Sequence, residues 1–249
     1  MLRFISMMII GEGMISYPLI ILNFKVYRES IGKNAVRLAK YAEEVSRELG
    51  ISIAVAPAFT DLKMVVDSVS IPVLSQHVDP YPPGSWTGSI VVEMLREVGV
   101  VGSIVNHSEK RLILADIPVV LSRLREHGLI SVLCTDTVET TKAGATLSPD
   151  IIAIEPPELI GTGISVSKAK PEVVTKAVEI VKEVNPHVHV LCGAGISLGE
   201  DVRRAIELGA EGVLLASAYV KAKDPKELLK SMAEDALKAW ERRKHHLNL

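Results

Sequence analysis

Hydrophobic residues are grouped along the chain into eight short runs rich in isoleucine, valine and leucine. Each run is continuous in hydrophobicity and does not alternate with polar positions, which is typical of parallel strands buried on both faces. The pattern therefore predicts eight β-strands. They occupy residues 18–24, 51–57, 71–77, 101–107, 129–135, 150–155, 188–195 and 212–218.

Amphipathic stretches with helical spacing lie between these runs. Clear examples span 33–49 and 170–184, and the second has Pro171 in its first turn, where a missing N–H group costs nothing. Eight strand–helix units in 249 residues predict an α/β fold of one domain, the (β/α)8 barrel or TIM barrel. A doubly wound open sheet is the alternative, but no GxGxxG motif follows the first run.

The first 14 residues precede the first predicted strand, and we assign the barrel domain to residues 15–249. The segment 1–14 is treated as an N-terminal extension or a misassigned start. It is too short to span a bilayer, and no clean small-residue cleavage site of a signal peptide follows it. No domain linker is visible in the rest of the chain, and the proline-rich residues 79–85 are predicted to form a loop.

Composition and charge narrow the range of partners. The chain is 48% hydrophobic and 23% charged with a net charge of −2, so it lacks the basic excess that favours nucleic acid or an anionic membrane. We expect neither as a partner. Cys134 and Cys192 lie in apolar runs without a CxxC pair or a ligand cluster, which predicts buried thiols in a reducing cytoplasm and no disulfide or metal site.

In such a barrel the reacting groups lie at the C-terminal ends of strands, and the first and fourth runs end in polar side chains. Asn23 and Lys25 end the first run, with Phe24 between them pointing the other way. His107 ends the fourth run, and we expect it in the first turn of a helix, whose positive end disfavours a protonated ring. Taken alone, Lys25 is more simply a surface charge and His107 a helix cap or a packed histidine.

The sixth run ends in Glu155, which is followed by Pro156 and Pro157 and then by Gly161 and Gly163. The prolines restrict the backbone directly behind the carboxylate, whereas the glycines permit conformations that other residues resist. A stiff start with a permissive end suits a lid that moves as one piece. A static loop cap is the alternative.

The seventh and eighth runs end in small residues, at 192–197 and 214–218. Small side chains let backbone N–H groups approach a ligand, and helix N-termini favour anions, so these two loops are predicted to hold a phosphate. Each loop by itself is also explained as a tight turn. Together with the lysine, the histidine and the glutamate, however, they predict proton transfer on a small phosphorylated carbonyl compound.

The segments "NFK", "NHSEKR", "EPPELIGTG", "CGAGIS" and "GVLLASA" occur in this order on five of the predicted strand ends. In this combination the chain resembles triosephosphate isomerases of the archaeal type from about residue 18 to residue 225. The resemblance implies interconversion of dihydroxyacetone phosphate and D-glyceraldehyde 3-phosphate through an enediolate, in glycolysis and gluconeogenesis, without cofactor or metal. It also implies a homo-oligomer, with a tetramer favoured over a dimer.

The same resemblance implies roles for individual residues. It implies that Glu155 is the general base, His107 the electrophile and Lys25 the cation near the substrate, with Asn23 as a polar neighbour. Glu109 matches an orienting glutamate next to the lysine. The resemblance further implies that the backbone amides of Gly195, Ala216 and Ser217 hold the phosphate. Ile160 and Gly161 are implied to close over it from the lid.

Three points stay open at the level of the sequence. The rival functions are another phosphate-binding barrel, such as a sugar-phosphate epimerase or an indole-forming enzyme, and a non-catalytic barrel. The epimerase is expected to need histidines and aspartates as metal ligands, and only His77 and His107 end strands. The loop 76–89, which is stiffened by prolines and contains aromatic residues, is either an oligomer contact or an ordinary surface loop. In the charged tail 234–249, His245 and His246 are expected to be solvated.

Overall fold

Eight parallel strands form the centre of the protein, whose computed structural model describes residues 15–156 and 171–247. All strand residues are buried except the first positions of the second and seventh strands. The predicted strands are therefore confirmed in number and order. Their bounds are β1 Leu19–Asn23, β2 Ser52–Ala56, β3 Leu74–Ser75, β4 Gly102–Val105, β5 Ile130–Thr135, β6 Ile151–Ile154, β7 His189–Cys192 and β8 Gly212–Leu215.

The strands are ordered so that β1 lies between β2 and β8, and the sheet then runs back through β7, β6, β5 and β4 to β3. A single parallel bridge between Val55 and Val73, with the Val55 N–H donating to the Pro72 carbonyl at 3.0 Å, joins the two ends. The sheet is thus a nearly closed barrel, and the predicted (β/α)8 fold is confirmed. The third strand is shorter than the predicted 71–77, and Pro72, which has no N–H group for the ladder, lies before its start.

A helix follows every strand, in agreement with the predicted alternation. The helices are α1 Lys33–Leu49, α2 Leu62–Val66, α3 Val92–Val98, α4 Asp116–Glu126, α5 Val138–Thr146, α6 Pro171–Val184, α7 Gly199–Glu207, α8 Ser217–Val220 and α9 Pro225–Leu247. Helix α1 has the predicted bounds, because Gly50 adopts a left-handed φ of 67° and its N–H caps the Ser46 carbonyl at 2.9 Å. Pro171 begins α6, as predicted.

The alternation of side chains along each strand divides the buried residues into two layers. In β1, Leu19 and Ile21 point into the barrel, whereas Ile20 and Leu22 pack outward against the helices. Both layers are apolar, which explains why the strands appear in the sequence as unbroken hydrophobic runs. The polar residues needed for chemistry are therefore left to the strand ends.

The C-terminal residues 225–247 form one continuous helix that packs on α7 and α1. Its buried positions recur at helical spacing: Leu229, Met232, Ala233, Ala236 and Ala239. Near its end, Arg243 Nη1 donates to the carbonyls of Gly209 and Ala210, at 2.8 and 2.9 Å, just before β8. The charges between the small apolar residues obscured this pattern in the sequence, and His245 is exposed, as expected.

Some predicted segments lie outside the described residues, and others can be compared with the structure. The N-terminal extension 1–14 and residues 157–163 of the predicted lid are outside the described residues. Residues 79–85 contain neither helix nor strand, as predicted for a loop. Of the helices that the structure describes, none has the length and apolar character needed to cross a bilayer.

Candidate active site

The C-terminal ends of five strands surround one cavity on the barrel axis. It collects residues that are separated by up to about 190 positions in the chain. Of the predicted site residues, Lys25, His107, Glu155, Gly195, Ala216 and Ser217 line this cavity. Asn23 and Glu109 lie next to Lys25, whereas Ile160 and Gly161 are outside the described residues.

Lys25 is held in an unusual backbone conformation directly after β1. Its φ of 48° is left-handed, which is costly for a residue with a Cβ atom. Asn23 Oδ1 accepts the Lys25 N–H at 3.0 Å, and Gln76 Nε2 donates to the Lys25 carbonyl at 2.8 Å and to the Ala56 carbonyl at 2.9 Å. Asn23 and Gln76 thus stabilise the turn that directs the lysine into the cavity.

Glu109 connects the lysine to the histidine. Its Oε1 lies 2.8 Å from Lys25 Nζ, and its backbone N–H donates to His107 Nδ1 at 3.2 Å. The Lys25 side chain is 13% exposed and the Glu109 side chain 57%, so the carboxylate reaches the lysine from the solvent side. This contact fits the expected orienting position of Glu109.

His107 does not begin a helix, and this expectation was wrong. The residues after it form a turn, closed by the Lys110 N–H donating to the His107 carbonyl at 2.8 Å, and α4 starts only at Asp116. Burial of the ring, followed by the positive charge of Lys25, lowers the pKa of His107 to about 4. Because Nδ1 accepts a hydrogen bond from Glu109, the proton of the neutral ring lies on Nε2.

Glu155 faces His107 from the end of β6. Its Oε1 lies 3.6 Å from His107 Nε2, and the residue is only 2% exposed. Burial raises the pKa of Glu155 to about 8, although the Cys134 thiol and the Lys25 charge oppose the shift. Among the described residues Glu155 Oε2 has no hydrogen-bond partner, which leaves the carboxylate a free acceptor. A buried carboxylate of this kind is suited to accept a proton near neutral pH.

Gly193 forms the wall against which Glu155 lies. A Cβ atom on Gly193 would be 2.5 Å from Glu155 Cγ and 3.0 Å from Oε1, distances that side chains do not tolerate. In the sequence this glycine is only one of the small residues of the predicted phosphate loop. Its contact with the carboxylate crosses from β7 to β6, so no local pattern in the sequence could have revealed it.

The loops after β7 and β8 bring small residues to the opposite wall of the cavity. Gly195 has a left-handed φ of 69°, and Ala216 immediately precedes the short helix α8, which starts at Ser217. The N–H groups of Ser197 and Leu198 are both bound by Asp201 Oδ2 at 3.0 Å. Gly195, Ala216 and Ser217 line the same cavity as His107 and Glu155.

The two cysteines and His77 carry side chains of the kind that can bind a metal ion. Cys134 and Cys192 are free and buried, as predicted. His77 pairs through Nε2 with Asp79 Oδ1 at 3.0 Å. Across residues 15–156 and 171–247, no three histidine, cysteine, aspartate or glutamate side chains are grouped so that they could hold a metal ion.

Comparison with known proteins gives a uniform result. Residues 18–232 match the family described as triosephosphate isomerase. The triosephosphate isomerase of Methanothermus fervidus is 59% identical over 215 residues, which is 86% of this chain and 97% of the relative. That of Methanocaldococcus jannaschii is 56% identical over 214 residues, covering 86% and 98%, and that of Methanothermobacter thermautotrophicus 54% over 212 residues, covering 85% and 93%.

Proposed function

The chain belongs to the triosephosphate isomerase family and interconverts dihydroxyacetone phosphate and D-glyceraldehyde 3-phosphate, and from this premise we propose that Glu155 is its general base and His107 its electrophile. The observation that carries the proposal is the buried pair itself. Glu155 Oε1 and His107 Nε2 lie 3.6 Å apart in a cavity that Lys25 also lines. A glutamate base with a neutral histidine is the established arrangement in this enzyme family.

The proposed reaction moves one proton between neighbouring carbon atoms. Glu155 takes the proton from the carbon beside the carbonyl group, and the C–H electrons form the double bond of an enediolate while the carbonyl oxygen gains charge. His107 donates its Nε2–H to that oxygen and receives the proton of the neighbouring hydroxyl group in exchange, so the negative charge moves to the other oxygen. Glu155 then returns its proton to the adjacent carbon as the new carbonyl group forms. A neutral donor suits this step, because burial already disfavours the charged ring.

The other predicted site residues would bind and orient the substrate. Lys25, held by Asn23 and paired with Glu109, places a cation beside the developing negative charge. We assign the phosphate to the backbone amides of Gly195, Ala216 and Ser217, since small side chains there leave the N–H groups accessible. Ile160 and Gly161, outside the described residues, are proposed to close over the phosphate and exclude water.

Replacing Lys25 tests whether a positive charge beside the substrate contributes to catalysis. In a coupled assay of glyceraldehyde 3-phosphate isomerisation with chelator present, we expect the intact chain to be active and Lys25→Met to lose about 10²-fold or more in kcat/KM. Lys110→Met is the matched control, because Lys110 is exposed in the turn after His107, and its charge is not one that shifts the pKa of His107 or Glu155. An inactive but folded intact chain would overturn the proposed function.

We also propose that the protein is a homotetramer, because apolar side chains are exposed both between β3 and the end of α3 and between β4 and α4. The loop surface consists of Tyr81, stacked on Trp86 at 4.2 Å between ring centroids, and Met94. The α4 surface consists of Ile113, Leu114 and Val119, which are 68%, 78% and 44% exposed. Exposed apolar surfaces of this kind mark interaction sites, and a closed tetramer built from two-fold contacts uses two different surfaces.

Light scattering at micromolar concentration measures the assembly directly. We expect a tetrameric mass for the intact chain and a dimeric mass for Leu114→Lys, since a lysine on the α4 surface would have to be buried on association. Val26→Lys, at a residue 77% exposed and outside both surfaces, is the control. A monomeric mass for the intact chain would contradict the proposal.

The cellular setting follows from the reaction. We place the enzyme in glycolysis and gluconeogenesis, which share the triose phosphates, and in the cytoplasm. The two buried free thiols support a reducing compartment.

A further inference from the structure

We infer that Arg111 is a positioning residue for the isomerisation. Its guanidinium group joins the end of β4 to the end of β5 and so holds the His107 ring against Glu155. The inference rests on the proposed function of His107 and Glu155. The roles implied by the family resemblance do not include Arg111.

The geometry of Arg111 is that of a two-point clamp. Nη1 donates to the Asn106 carbonyl at 3.0 Å, and Nη2 donates to Asp136 Oδ2 at 3.0 Å. Asn106 directly follows β4 and precedes His107, while Asp136 directly follows β5. The planar guanidinium group with its fixed donors can bind both acceptors at once, which an ammonium group cannot do with the same directionality.

The residue that Arg111 holds on one side is itself in a strained conformation. Asn106 has a left-handed φ of 60°, and its side chain is bound twice. Its Nδ2 donates to the Cys134 carbonyl at 3.1 Å, and its Oδ1 accepts the Leu112 N–H at 3.1 Å. These bonds and the Arg111 bond to the carbonyl together stabilise a backbone turn that would otherwise relax. The direction of the next residue, His107, depends on that turn.

The acceptor on the other side is held by the start of α5. Thr140 Oγ1 donates to Asp136 Oδ1 at 2.7 Å, and Thr137 caps the helix by accepting the Thr140 N–H at 3.1 Å. Asp136 therefore has one carboxylate oxygen bound to the helix and the other to Arg111. The clamp thus ties the turn before His107 to a rigid element.

Arg111 also contributes charge to the reacting pair. The charged groups that face His107 are Lys25 from the β1 end, Glu109 and Arg111 from its own loop, and Glu155 from the β6 end. After burial and Lys25, the Arg111 charge lowers the pKa of His107, and it also lowers the pKa of Glu155 against the effect of burial. Both directions favour a neutral histidine and an ionised glutamate, the pair of states that the proposed reaction needs.

Three variants separate the clamp from the charge. Arg111→Met removes the clamp and the charge, and we expect kcat to fall about tenfold or more. The decrease of kcat/KM at low pH should also begin at a higher pH, which we call a shift of the acidic limb. Arg111→Lys keeps the charge and loses the two-point contact, so kcat should fall while the limb stays in place. Lys110→Met removes the neighbouring charge, and we expect neither change. Thermal unfolding confirms that each variant is folded.

An NMR titration of the His107 ring provides a readout that does not need activity. We expect the pKa of His107 to rise in Arg111→Met and to stay unchanged in Lys110→Met, since a removed positive charge makes ring protonation easier. An unchanged kcat in folded Arg111→Met, a loss confined to KM, or an unchanged His107 pKa would overturn the inference. Inactivity of the intact chain with the expected change in His107 pKa would instead reject the proposed function alone.

Discussion

Glu155→Gln is expected to lower kcat by about 10²- to 10⁴-fold, because an amide cannot take a proton from carbon. The volume of the side chain is unchanged, and the residue is 2% exposed, so the cavity keeps its shape. The coupled isomerase assay with chelator present measures this loss. Glu29→Gln is the matched control, since Glu29 is an exposed carboxylate on the connection after β1.

Glu155→Asp tests whether the position of the carboxylate matters as well as its chemistry. The shorter side chain withdraws the base by about one methylene group, and we expect kcat to fall far more than KM changes. Equal losses in kcat and in substrate affinity would show that Glu155 mainly binds, and the assignment as general base would then be wrong.

The same residue determines the expected pH dependence. Burial raises the pKa of Glu155 to about 8, so the ionised fraction of the free enzyme falls as the pH falls through that value. The kcat/KM ratio should therefore decrease about tenfold per pH unit below about pH 8. His107, with a pKa of about 4, remains neutral over most of this range and adds a second loss only near pH 4. In Glu155→Gln the decrease of kcat/KM below about pH 8 should disappear.

Gly193→Ala is expected to lower kcat by about 10²-fold through displacement of Glu155. The new Cβ atom would lie 2.5 Å from Glu155 Cγ, so the carboxylate side chain must move to another position. A displacement of about 1 Å at a reacting group is enough for a loss of this size. Steady-state kinetics measure the loss, and thermal unfolding shows whether the barrel is still formed.

A double-mutant cycle tests the reason for that loss. If Gly193→Ala acts through Glu155, adding it to Glu155→Gln should cause little further decrease, because the base is already absent. Independent, additive losses would mean that Gly193 affects substrate binding through the β7 loop, and the proposed contact would not explain the variant.

Several features were predictable because their signals are local. The strand runs, the bounds of α1 and the start of α6 at Pro171 depend on the hydrophobicity and capping of neighbouring residues. Once the barrel was predicted, the rule that reacting groups lie at strand ends selected Lys25, His107 and Glu155. The structure places all three in one cavity.

Other features could not be predicted, because they depend on contacts between distant residues. Gly193 meets Glu155 only because β6 and β7 are neighbours, and Gln76 reaches the Lys25 carbonyl across 51 positions. The expected helix at His107 was wrong because the turn there is closed by backbone bonds that the charged sequence does not indicate. The small apolar residues of α9 pack on the barrel, but the charged residues between them hide this pattern in the sequence.

The sequence by itself determined the alternation of strands and helices, the barrel and the identity of the ionisable residues at its C-terminal rim. These follow from hydrophobic periodicity and from side-chain chemistry, which are properties of each segment alone. The tertiary structure decided how the residues act together. It buries Glu155 and His107 3.6 Å apart, shifts their pKa values in opposite directions, and connects Arg111 to both strand ends beside them. Burial and electrostatic interaction depend on the distances between groups, and those distances exist only in the folded chain.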